Sequence, residues 1–179
     1  VVETRKAPRG RRVETIREVV EGSGQVQEHV GSRTFSFPAT AFWQAHSQAP
    51  AAYTQLVTEW LGQREYQERT AWDLYGGVGL FVPALAAAVQ GKVISVDYSP
   101  AATAAEQPCL ADCDVELKSA KVEQVAAQLP KPGAVVLDPP RTGAGKDVIR
   151  SVAAAAPQAV VHVGCDPATF ARDLHYWDE

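Results

Sequence analysis

From residue 70 onward the chain alternates short apolar runs with helix-like segments, and this alternation limits what it can fold into more than any other feature. The apolar runs are 70–75, 93–97, 115–118, 134–138 and 159–165, and between them lie 80–89, 100–112, 121–129 and 146–156. A run that is hydrophobic throughout, rather than at every second position, has to be buried on both faces. In an α/β chain that means a parallel strand with helices above and below it. The expectation is therefore an α/β domain with an open, mostly parallel sheet. Ligands of such sheets bind beyond the carboxyl ends of the strands, so the residues that close each run are where function is sought. Two helix starts carry their own signal: Ser99 precedes Pro100 and Asp166 precedes Pro167, each placing a side-chain acceptor before a proline at the first helical position. Upstream, 48–62 sets Ala52, Leu56 and Trp60 at helical spacing and stops at Gly62. Before that, 25–30 and 33–37 flank Gly31-Ser32 as a hairpin. Residues 1–40 read as a lead-in left from a preceding domain, and 41–179 as the main domain.

Composition narrows the function classes. With 46% hydrophobic and 21% charged residues among 179, the chain can build a core, and no apolar run approaches the ~20 residues of a membrane span. A net charge of −4 and a pI near 5.6 argue against holding nucleic acid by bulk electrostatics. A local basic patch remains open: Arg5, Lys6, Arg9, Arg11, Arg12 and Arg17 stand against Glu3, Glu14 and Glu18, a grouping equally readable as a solvated terminus. Three cysteines and no leading apolar segment point to a reducing compartment, read as the cytoplasm. The chain has no Met, even at position 1, so it is expected to be a fragment.

The strand ends carry the chemistry. The first run closes in Asp73-Leu74-Tyr75-Gly76-Gly77-Val78-Gly79-Leu80-Phe81, a turn whose glycines allow close backbone approach to a ligand. Its spacing is G-G-x-G rather than G-x-G-x-x-G, which disfavours a pyrophosphate cradle. The second run closes in Asp97, 18 residues after Gly79, where a carboxylate can accept from both ribose hydroxyls. Together they point to an adenosine-type cofactor. The fourth run closes in Asp138-Pro139-Pro140-Arg141-Thr142-Gly143-Ala144-Gly145, and its two prolines fix a rigid extended turn. In amino-group methyltransferases a related turn ends in an aromatic that stacks on the base; Arg141 takes that position here. The fifth run closes in Gly164-Cys165-Asp166-Pro167-Ala168-Thr169, which sets a thiol at the start of a helix. Helix N-termini favour thiolates and neighbouring carboxylates oppose them, and a cysteine is also at home as a small buried hydrophobe. Cys109 and Cys113 could share a helix face but lack the further Cys or His of a zinc site, so no metal is expected.

In combination these segments resemble the RNA uracil-C5 methyltransferases that use S-adenosylmethionine. The resemblance runs from Phe42 to Leu174 and rests on Phe42-Trp43-Gln44-Ala45-His46 (similar to F-x-Q-x-N), Asp73–Phe81, Asp138–Gly145 and Cys165–Arg172. It implies a Rossmann-like methyltransferase fold with the five strands in order 3-2-1-4-5. It implies S-adenosylmethionine as methyl donor, S-adenosylhomocysteine as product, and transfer or ribosomal RNA as substrate. Cys165 would be the nucleophile. Gln44, Tyr75, Gly77, Gly79, Asp97 and Asp138 would line the cofactor pocket, and Asp138 and Arg141 would meet the target base. A thiolate is needed because uracil C5 is a poor nucleophile until C6 is attacked, and the uridine has to leave its stack to be reached. The chain departs from the pattern at Gly76 (usually Cys), Leu80 and His46 (usually Asn) and Asp166 (often Asn). The family's catalytic glutamate lies beyond the nucleophile by more than the 14 residues present here, so the fragment is expected to be inactive alone. The sheet is likewise expected to lack its last antiparallel pair. An amino-group methyltransferase of nucleic acid, and a cofactor-binding module without catalysis, are the alternatives.

Overall fold

The structure, a computed structural model, describes residues 19–179; the basic cluster between Arg5 and Arg17 lies outside them. Five strands, β3 (Thr70–Leu74), β4 (Lys92–Asp97), β5 (Val115–Ser119), β6 (Ala134–Leu137) and β7 (Ala159–His162), form one sheet in the order β5-β4-β3-β6-β7. All four pairings are parallel. Counted within the sheet, that is the expected 3-2-1-4-5, with the order reversing at β3. The helices are α1 (Ala49–Leu61), α2 (Val82–Val89), α3 (Val122–Val125), α4 (Lys146–Ala155) and α5 (Pro167–Trp177).

Period-two geometry divides the sheet into two cores. Ala71 of β3, Val93 of β4 and Val136 of β6 pack with Leu85 of α2 and Val57 and Leu61 of α1 on one face. Trp72 and Leu74, Ile94 and Val96, and Val135 and Leu137 pack with Val122 of α3 and Val148 and Val152 of α4 on the other. Trp72 is wholly buried, and its indole N–H donates to Pro130 O at 2.9 Å, so the one polar atom of that ring is satisfied. The N-terminal hairpin, β1 (Gln25–Val30) and β2 (Arg33–Pro38), shares the first core through Phe35 and Phe37.

One expected element fails. Residues 100–112 do not form a helix but two short 3₁₀ turns, Ala104–Glu106 and Pro108–Leu110. Pro108 cannot continue a helix begun upstream, and Gln107 is buried with its amide spent elsewhere. Its Oε1 accepts from Ser36 N–H, and its Nε2 donates to Ser36 O and to Thr103 Oγ1. Tying the segment to β2 outweighs its helical pattern. Ser99 accordingly caps no helix; its hydroxyl accepts from Ala101 N–H in a local turn. Cys109 and Cys113 therefore share no helix face. By contrast Asp166 does cap α5, accepting from Thr169 N–H at 2.9 Å. The segment 121–129 is also shortened, α3 giving way to a 3₁₀ turn over Ala126–Gln128.

Candidate active site

At the carboxyl end of the sheet, β3 and β4 build a glycine-lined recess. Tyr75 N–H and Gly76 N–H both donate to Val96 O, which bends the chain out of β3 across the end of β4. Tyr75 takes a left-handed conformation (φ 63°), as do Gly77 (53°) and Gly79 (87°). Gly77 N–H donates to Asp97 Oδ2 at 2.9 Å, and Ser99 N–H to Asp97 Oδ1 at 2.6 Å. Each carboxylate oxygen keeps a further lone pair for a ligand hydroxyl. Gly76 fits closely: a Cβ there would lie 2.2 Å from Ser95 Oγ and 2.3 Å from Asp73 Oδ2, so a side chain at this position has to displace those two polar ends. Leu80, where the family pattern has Asn, is buried in the first core. His46 is exposed and accepts from Gln48 N–H at Nδ1.

Two carboxyls dominate the electrostatics. Asp73 is 1% exposed and accepts from Ser95 Oγ at 3.1 Å. Burial pushes its pKa up to about 7 against the opposing Ser95 bond, with the charges of Asp138 and Asp97 adding to the rise. Asp138, one strand over at the end of β6, accepts from Gln44 Nε2 at 3.1 Å. Burial lifts it to about 6, again against that bond. The groups that oppose burial are a hydroxyl and an amide, neither of them a cation. A ligand bringing positive charge to this end of the sheet would supply the missing partner. Sequence reasoning quoted Asp73 without giving it a role; the signal was a carboxylate inside the otherwise apolar run Thr70-Ala71-Trp72-Asp73-Leu74.

The β6 and β7 ends form a second half. Cys165 is exposed, at the turn from β7 into α5. The Asp138–Gly145 loop is fastened to α5 from below. Thr169 Oγ1 donates to Arg141 O at 2.9 Å, and Arg172 donates to Thr142 O at 2.7 Å. Asp173, 0% exposed, accepts from Ala144 N–H at 2.6 Å and Gly145 N–H at 3.3 Å while paired with Arg172 at 2.8 Å. Burial alone would raise the Asp173 carboxyl, but Arg172 and the two N–H donors outweigh it and hold it below the usual range. Asp173 thus occupies the N-terminal end of α4 as a built-in anion. No pattern in the sequence marked it. Arg141 is exposed on the outer side of the loop. Its charge is one of the influences, after the Thr169 N–H, that hold Asp166 below the usual carboxylate range.

Tyr75 belongs to neither recess wall alone: it packs against the second core and lines a cleft of about 360 Å³ with Glu123, Pro140 and the 142–148 stretch. Burial pushes its phenol up to about 12, with Glu123 and Asp173 adding to it. The structure therefore brings Asp97, Gly77 and Gly79 together on one side and Gln44 with Asp138 on the next strand. Cys165 and Arg141 stand beyond, and Tyr75 lies between the halves. Among the described residues no cluster of His, Cys, Asp or Glu is arranged to hold a metal, and no helix is long and apolar enough to cross a membrane.

No protein-family model matches the chain. Among curated proteins it is similar to an uncharacterized RNA methyltransferase of Corynebacterium glutamicum, 53% identical over 99% of this chain and 44% of that protein. An uncharacterized RNA methyltransferase of Corynebacterium diphtheriae is 46% identical, again over 99% of this chain and 44% of its own length. More distantly it is similar to the 23S rRNA (uracil(747)-C(5))-methyltransferase of Shewanella halifaxensis, 33% identical over 75% of this chain and 36% of that protein. The chain thus spans less than half the length of these relatives. Among solved structures, the tRNA (uracil-54, C5)-methyltransferase of Pyrococcus abyssi in complex with S-adenosyl-L-homocysteine matches with a TM-score of 0.74 at 24% identity. The match covers 97% of this chain and 43% of that one. At that identity the likeness speaks for the fold, which is the Rossmann-like fold of S-adenosylmethionine-dependent methyltransferases.

Proposed function

Since the chain belongs, over the stretch it covers, to the RNA methyltransferase family, we propose that it carries the methyl transfer from S-adenosylmethionine to C5 of a uridine in RNA. The observation that carries this reading is the placement of the exposed Cys165 thiol at the carboxyl end of β7. It stands on the same sheet edge as the Asp138–Gln44 pair at β6 and the Gly77–Asp97 turn at β3 and β4.

The residues fit the cofactor by charge and by shape. Asp73, buried, and Asp138, half-buried, have no cationic partner among the described residues, and a sulfonium with an α-ammonium group is a cation that would relieve them. Gly77 leaves the backbone bare, with nothing within 4 Å of where a Cβ would stand, while Gly76 and Gly79 let the turn close on Asp73 and Ser95 and on Ala104 and Leu110; Asp97 is poised to accept from ribose hydroxyls. When bound, the cofactor supplies an electrophilic methyl group.

In this reading Cys165 Sγ, as thiolate, adds to C6 of the uracil and places negative charge on C5 and O4, which makes C5 nucleophilic. Gln44 holds Asp138 by its side-chain N–H, and the raised pKa of Asp138 makes it able to carry a proton near neutral pH and donate to a carbonyl oxygen. After methyl transfer the C5 proton leaves to a general base, and expulsion of the thiolate frees the methylated uridine. Arg141, exposed on the rigid loop, would meet the RNA rather than the cofactor. RNA as partner, whether transfer or ribosomal, and a cytoplasmic setting belong to this proposal.

The test is to incubate the full polypeptide that carries this sequence with 5-fluorouridine-substituted RNA and S-adenosylmethionine, and to look by intact mass for a protein–RNA adduct. Fluorine cannot leave as a proton does, so the final elimination stalls. An adduct that disappears in Cys165→Ala is the expected result. Cofactor binding without any adduct, on RNA known to hold unmodified target uridines, would turn the assignment to amino-group methylation or to a binding module without catalysis.

A further inference from the structure

His162, three residues before Cys165, is described by one bond it makes and one it does not. Trp177, the last residue of α5, donates its indole N–H to His162 Nδ1 at 3.2 Å. A ring nitrogen that accepts is unprotonated, so the neutral imidazole carries its hydrogen on Nε2. That Nε2 is buried, in a side chain 7% exposed, and has no hydrogen-bond partner among the described residues. It faces Asp173 Oδ2 at 3.9 Å, just beyond bonding reach. The same Oδ2 accepts from Ala144 N–H, and so holds the 141–145 loop.

We infer that His162 is the positioning residue of an acid-operated latch: neutral, it leaves α5 fastened beneath the 141–145 loop, and protonated, it loosens two of the points at which that helix is held, the Trp177 bond and the Asp173–Ala144 bond. Protonation puts a hydrogen on Nδ1, where it meets the Trp177 N–H donor head on, and that bond is lost. It also sets a full positive charge before Asp173 Oδ2 and draws that oxygen toward β7, away from Ala144 N–H. A shift of roughly 1 Å would bring the pair to bonding distance. Asp173 and Trp177 are four residues apart on α5, so one proton acts on one helix face at two points.

The surrounding charges allow this. α5 presents Asp173 and, bonded to it, Arg172; Lys146 and Arg150 of α4 are turned to Glu179, which His175 also approaches. β6 sets uncharged Leu137 beside His162, and Phe170 meets the ring edge-on at 5.1 Å. Burial draws the His162 pKa below its ordinary value, with Asp173 working against it, so the site favours the neutral ring. Asp173 stays ionised while His162 titrates, because its own carboxyl is held low. The sign follows. A fold that favours neutral histidine has that contribution in full above the unfolded pKa near 6.5, and loses it as the pH falls toward the lower folded value.

The loop carries Asp138 and Arg141, and α5 begins just after Cys165. The effect on methyl transfer therefore rests on the function proposed above, while the latch itself does not. Its test uses the full polypeptide that carries this sequence: amide protection factors of Ala144 and Gly145 by NMR hydrogen exchange from pH 7.5 to 4.5. The His162 ring nitrogens and the Trp177 indole N–H are followed in the same samples. The expected result is an Nε2–H tautomer at pH 7.5 and a loss of protection of at least about fivefold whose midpoint coincides with the His162 titration. The Trp177 signal should shift at the same midpoint. His162→Phe, which keeps a ring against Phe170, should show flat protection across the range. Because Asp138 titrates near pH 6 in the same loop, Asp138→Asn has to keep the drop; this variant decides the matter if His162→Phe does not fold. A drop that survives in His162→Phe or vanishes in Asp138→Asn, an Nδ1–H tautomer, a ring that stays neutral to pH 4.5, or a titration without loss of protection each overturns the latch. None of these outcomes bears on the methyltransferase assignment.

Discussion

The two halves of the site are held in different ways. At β3 and β4 the recess is shaped by the backbone itself: left-handed Gly77 and Gly79, a carbonyl shared by two N–H groups, and a glycine where a Cβ would strike Ser95 and Asp73. At β6 and β7 the backbone is extended and proline-stiffened, and what holds it is a set of side chains reaching up from α5, 28 to 30 residues further along. The first half is tolerant of surface change and intolerant of added volume. The second accepts volume at its exposed positions, Arg141 and Thr142, and depends on one buried acid.

Four experiments would break or sharpen that contrast. Largest is Cys165→Ala, which should reduce RNA methylation by about a thousandfold or more while leaving cofactor affinity, measured by calorimetry, within a factor of two or so. A parallel loss of affinity would mean that the halves are not separable. Next, Asp173→Ala strands Arg172 beside a buried hole and leaves the Ala144 and Gly145 N–H groups without their acceptor, so it should cost ~3 kcal/mol in urea unfolding. Cost near zero would show the loop to be self-supporting. Gly76→Ala should cost about 1–3 kcal/mol through overpacking and weaken the cofactor more than it slows a bound reaction. An unchanged Kd would place the recess elsewhere.

Smallest, and dependent on pH, is Asp73→Asn. Asp73 is driven to about 7 by burial, so the fold favours its neutral form. That contribution is complete below the unfolded pKa near 4 and is lost as pH rises through about 7. The Asn variant should therefore match the wild type near pH 4 and melt a few degrees higher at pH 8, at the cost of affinity for the cationic cofactor. Equal melting temperatures at pH 8 would mean the carboxylate already has a counter-charge.

How far the molecule was legible in its sequence follows the same division. Continuous apolar runs announced buried parallel strands, and Asp166 before Pro167 announced the start of α5, because these signals act over a few residues. The glycine turn was readable for the same reason. Residues 100–112 misled because their helical pattern is local while the bonds of Gln107 to Ser36 that override it cross 71 positions. Asp173 and His162 gave no sign, since what makes each of them matter is a partner on another element: the N–H groups of Ala144 and Gly145 for one, the Trp177 indole for the other. The burdened state of Asp73 was half visible, as an acid within an apolar strand.

The bonds from α5 to the 141–145 loop go to main-chain atoms only: the carbonyls of Arg141 and Thr142 and the N–H groups of Ala144 and Gly145. A clamp of that kind does not read the identity of what it grips. Gly143 and Gly145 are excluded from change: a Cβ at Gly143 would lie 2.5 Å from both Arg172 Nη2 and Asp173 Oδ2, and Gly145 holds a left-handed φ of 79°. The exposed side chains at 141 and 142 are therefore free to vary without loosening the loop, whereas Ala144 packs against the second core. Under the proposed function, drift toward a new RNA sequence, or its deliberate redesign, can proceed on the outer surface while the frame beneath stays constant.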